Sequence, residues 1–125
     1  MELDAGEKKT GDDIAERLLD FAVRVIKLVN ALPKTIVGRH IRGPLVRSGT
    51  SCGSNYEESR GAESRADFIH KLGIAIKEIK ESRFWLKVIY HAKIMKPEQI
   101  EPLITECEEL AAIISKSIIT AKANK

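Results

Sequence analysis

The residues best equipped for recognition chemistry are six cations: Lys34, Arg39, Arg42 and Arg47, followed by Arg60 and Arg65. They begin inside a run from Phe21 to Tyr56 that contains no acid at all. Four to six unbalanced cations neutralise phosphates, which gives binding that ignores base sequence and weakens with salt. Arg39 and Arg42 are three apart and share a helical face, while Arg47 lies about 140° further round. Against this stands the plainer reading of a solvated basic face, because no aromatic residue for base stacking lies among these cations.

Other chemistries find less support. A di-metal site in a helical bundle needs carboxylates on two helices and two Glu-x-x-His pairs. Asp67 with His70 is the nearest approach, it occurs once, and no metal is expected. Cys52 and Cys107 fall in apolar helical patterns and read as small core residues, not nucleophiles. The glycines of GTSCG lack both the spacing and the lysine of a phosphate loop. His40 and His91 sit in basic segments as boundary residues. The expectation is a protein without catalytic residues or cofactor. Asn55 is the kind of amide that hydrogen-bonds a neighbouring helix. Glu57 and Glu58 end the acid-free run, either pairing across a subunit contact or standing as an exposed turn of charge.

These side chains need a scaffold, and composition bounds it. With 125 residues, 43% hydrophobic and 31% charged, the chain is sized for one domain with its own core. The net charge of +3 is small but uneven. Residues 34 to 96 carry thirteen bases and six acids, a net +7, and each flanking segment carries a net −2. Two cysteines, no signal-peptide pattern and no apolar run near the ~20 residues of a membrane span suggest a cytoplasmic protein with reduced thiols.

Heptad spacing then sets the elements. Residues 1 to 11 are expected to fray, with a bundle over 12 to 122. A first helix over about 13 to 32 carries Ile14, Leu18, Phe21, Val25, Leu28 and Leu32, with Asp13 and Glu16 as a capping pair. A second, over 34 to 60, keeps Ile36, Ile41, Leu45, Cys52 and Tyr56 on one face. Its glycines and Pro44 oppose helix, and a kink or break is expected at Gly43-Pro44. A third, over 64 to 95, begins at Ser64 with Asp67 as its start signal. It carries Phe68, Leu72, Ala75, Ile79, Leu86 and Ile89, with Ile69, Ile74, Ile76, Phe84, Trp85, Val88 and Tyr90 spreading beyond that stripe. A face so wide suggests self-association through residues such as Phe84 and Trp85. A fourth, over 97 to 121, repeats Ile100, Leu103, Cys107, Leu110, Ile114, Ser117 and Ala121. Four helices with short connections predict an all-α, antiparallel up-down-up-down bundle.

One order of residues is more specific than any of these patterns. Ser48, Ser51, Asn55 and Glu57, then Ser64 and ADFIHKL, then Lys77, Glu78, Glu81 and Trp85 resemble the four-helix-bundle family encoded by intervening sequences of bacterial large-subunit ribosomal RNA genes. That family includes the accessory proteins of diversity-generating retroelements. The resemblance spans about residues 14 to 121. It departs at Gly43 and Pro44, where longer residues are usual, and at Ser59, where Gly is common. It implies a homopentameric barrel of bundles with a basic surface, binding nucleic acid, RNA before DNA, and a partner protein such as a reverse transcriptase. A protein-interaction scaffold with incidental charge is the alternative.

Overall fold

The computed structural model describes residues 5 to 124, with side chains from Thr10 onward, and within them the chain is all-α, with no strand. Four helices follow in order: α1 Ala5–Ala31, α2 Ile36–Arg60, α3 Arg65–His91 and α4 Pro97–Ala123. The expected fraying of residues 1 to 11 is corrected for residues 5 to 11, which are helical; residues 1 to 4 lie outside the described residues. Asp13 and Glu16 therefore sit inside α1 and start nothing.

The later helix starts follow side-chain chemistry. Thr35 Oγ1 accepts from Gly38 N at 3.1 Å and Ser64 Oγ from Asp67 N at 3.0 Å, so each hydroxyl satisfies a backbone donor that the first turn leaves free. Pro97 takes the first position of α4, where its missing N–H is no loss. α3 stops at His91, short of the expected residue 95. Lys93 turns left-handed at φ 56°, and the amides of Lys93 and Ile94 close back on Tyr90 O and Ile89 O. This is a Schellman closure without the usual glycine, so no residue type punctuates it.

The break expected at Gly43-Pro44 is absent, because α2 is continuous with Pro44 inside it. A Cβ before proline opposes the helical conformation, and Gly43 has none. The lost amide leaves the His40 carbonyl without its helical partner, on the exposed side of the helix.

The heptad residues of α1 and α4 are buried almost without exception, and they meet Ile41, Leu45, Cys52 and Tyr56 of α2 and Leu72, Ala75, Ile79, Leu86 and Ile89 of α3. Ile36 departs from its expected face and is 86% exposed at the first position of α2. Ser117 is half-buried. α2 packs on α1 and α3, and α3 on α2 and α4, whereas the backbones of α1 and α4 approach each other closely at far fewer places.

Small residues set the closest approach. A Cβ on Gly49 would stand 2.7 Å from Val25 Cγ1, and one on Gly53 would stand 3.4 Å from Leu18. On the other side Ser82 Oγ donates to Ser48 Oγ at 2.8 Å, both fully buried. This is the physical use of the glycines and serines that make α2 a poor helix on propensity alone.

Candidate nucleic-acid interface

The six cations do not form one patch. Arg39 lies near the start of α2 and Arg60 at its end, about 30 Å apart along a helix rising 1.5 Å per residue. Lys34 and Arg39 are exposed and Arg42 half-buried, and among the described residues none of the three has an acidic partner. Arg47 is different, because its guanidinium pairs with Glu81 at 2.9 Å. Arg60 pairs with Asp12 and with Glu57 at 3.6 Å. The hydrogen bond to Asp12 holds its guanidinium proton more tightly than usual. Arg65 is exposed, without an acidic partner among the described residues, at the far end from Arg39.

Asn55 differs from expectation. Asn55 Nδ2 donates to Ser51 O at 2.9 Å within α2, so its amide serves its own helix. Glu57 is taken by Arg60, and Glu58 accepts from Lys71 Nζ at 2.9 Å. Both acids are exposed, and each pairs with a base of its own chain. The wide face of α3 is largely covered too: Phe68, Ile76, Trp85, Val88 and Tyr90 are half-buried against the core, since α3 has a neighbour on either side. Of the two aromatic residues expected to make contacts, Trp85 is half-buried and Phe84 stays open, at 58% exposure.

Sequence reasoning missed where the apolar surplus lies. Leu19, Val23 and Ile26 make an exposed stripe on α1, and Ile119 is 68% exposed on α4. Their four- and three-residue spacing is a second apolar pattern on α1, beside the heptad residues that fill the core. The fold also brings aromatic rings to α2. Trp85 packs edge-on against His40 with centroids 5.8 Å apart and against Phe84 at 5.2 Å, and its Nε1 donates to Glu81 at 3.4 Å.

Both thiols are free and buried. Burial pushes the Cys52 thiol up to about 12 and raises that of Cys107 as well. Among the described residues no group of three or more His, Cys, Asp or Glu side chains could hold a metal, and no helix is long and apolar enough to cross a membrane.

Residues 12 to 116 match the model of the 23S rRNA-intervening sequence protein family. The chain belongs to that family. A crystal structure of a protein of unknown function from the S23 ribosomal protein family of Bacteroides thetaiotaomicron is similar, with 33% identity and a TM-score of 0.76. The match covers 84% of this chain and 97% of that one. No curated protein matches. The residues from Ser48 to Trp85 lie inside the matched span.

Proposed function

We propose that this protein is a non-catalytic, cytoplasmic oligomer that binds nucleic acid, RNA first, through the start of α2. The observation that carries the reading is the cluster of Lys34, Arg39 and Arg42, which no acid of the described residues neutralises. A charge kept free of internal partners is free to displace counterions from phosphate. Arg47 and Arg60, already paired, contribute little.

The oligomer in this reading is a homopentameric barrel of antiparallel bundles. Supporting the direction of the helices, contacts that rise along one helix fall along the next: Gly11, Leu18 and Val25 of α1 meet Tyr56, Gly53 and Gly49 of α2. Lys71 and Ser82 of α3 meet Glu58 and Ser48 in the same sense. The exposed stripe of Leu19, Val23 and Ile26 supports association, and a ring would repeat the weak α2 cluster and raise its avidity. The same stripe is what favours the second reading, a scaffold holding a partner protein such as a reverse transcriptase.

Fluorescence anisotropy with a labelled RNA over a salt series tests this. Replacing Lys34, Arg39 and Arg42 by Ala should weaken binding and flatten the log–log salt slope by roughly 2, about 0.7 per lost phosphate contact on a single strand. Arg47→Ala should change the slope little. Unchanged binding by the triple variant discards the α2 site, and recovery of a protein partner after nuclease treatment, with no RNA affinity, favours the scaffold.

A further inference from the structure

A second run without acids extends from Ser82 to Pro97, with Lys87, His91, Lys93 and Lys96 in it. On α3 the residues Lys77, Lys80, Phe84, Lys87 and His91 are spaced by three or four, so they share one outward stripe about 20 Å long. Lys77, Lys80 and His91 are exposed and Lys87 is half-buried. Among the described residues these three lysines have no acidic partner. Glu81, which follows Lys80 in the chain, is held by Arg47 and Trp85. Phe84 stands in the middle of the stripe, its ring braced edge-on by Trp85.

At its His91 end the stripe opens into a groove between the α1–α2 and α3–α4 connections, lined by Pro33, Tyr90, His91, Lys93, Met95 and Lys96 among others. Pro33 adjoins Lys34, so the groove borders the cluster at the start of α2.

We propose that the outer face of α3 and this groove hold single-stranded RNA, with the lysines on phosphates and Phe84 stacked on one unpaired base. The class of partner rests on the nucleic-acid reading above, but the residues are different. A duplex hides its base faces, whereas a single strand offers them, and an exposed ring flanked by unpaired cations is the arrangement that exploits the difference. A second copy of the chain on the same face would have to bury several unpaired lysines with the ring.

The test compares a short unstructured RNA with a duplex of the same sequence, by anisotropy, for wild type, Phe84→Ala, Phe84→Tyr and the Arg39→Ala/Arg42→Ala variant. Wild type should prefer the single strand. Phe84→Ala should lose about tenfold on the single strand and nothing on the duplex, with Tyr restoring the affinity. Phe84 is mostly exposed, so the variant should fold, and thermal melting checks this. Equal binding by Phe84→Ala overturns the stacking site while leaving any Arg39/Arg42 effect intact. A change of mass in sedimentation on Phe84→Ala also overturns it, because the ring is then covered by another copy. Wild type that binds neither RNA removes both readings.

Discussion

The two sides of α2 are built on opposite principles. Toward α1 and α3 it presents Gly49, Cys52, Gly53, Ser48 and Ser59, side chains so small that neighbouring backbones come close and each buried hydroxyl turns back on a partner. Toward solvent, near its start, it presents Arg39 and Arg42, large and without an acidic partner among the described residues. Helix propensity is poor on the first side, and tertiary contact compensates for it. On the second side no contact within the chain explains the residues. The lesson is that the inner side should be sensitive to one methyl group, while the outer side should be indifferent to loss of a whole side chain unless a ligand is present.

Five outcomes sharpen that contrast. The largest effect is expected at Gly38, where an added Cβ would stand 2.0 Å from the carbonyl oxygen of Pro33, a backbone atom that cannot swing away. Gly38→Ala should destabilise the fold by about 3 kcal/mol in urea denaturation, despite a better helix former. Next is Gly49→Ala, whose new methyl meets the Val25 side chain at 2.7 Å. The strain of about 1–3 kcal/mol outweighs a propensity gain of about 1, so a net loss near 1 kcal/mol is expected.

The buried thiol gives a third, graded test. Cys52 is raised by burial from 9.0 to about 12. Below pH 9 both folded and unfolded thiols are neutral and the group adds no pH dependence. Above it only the unfolded chain ionises, so stability falls until the folded thiol titrates as well. Between pH 9 and 11 the difference in stability slope between wild type and Cys52→Ala should approach about 1.4 kcal/mol per pH unit. Equal slopes would mean the thiol is not sequestered. The smallest effects belong outside. Arg39→Ala/Arg42→Ala should stay within about 0.5 kcal/mol of wild type. Gly73→Ala, whose new methyl meets nothing within 4 Å, should gain about 0.5–1 kcal/mol.

Much of this was legible beforehand. The heptads of α1 and α4 named buried residues correctly because a repeating apolar seam has one way to hide, and Ser64 marks a helix start through a local hydrogen bond that needs no partner helix. The end of α3 was illegible, since a left-handed lysine carries no signal that a glycine would. The site was legible as charge and illegible as pairing. Arg39 and Arg47 look alike in sequence, and only the approach of Glu81 from another helix separates them.

The sequence by itself determined the helices, their apolar faces and the excess of positive charge, because periodicity, capping and net charge are properties of neighbouring residues. Tertiary structure decided which cations stay free, that Pro44 does not interrupt α2, and that α3 has covered most of its wide face, leaving Phe84 open. Those outcomes depend on contacts between residues far apart in the chain, whose distances no local pattern encodes.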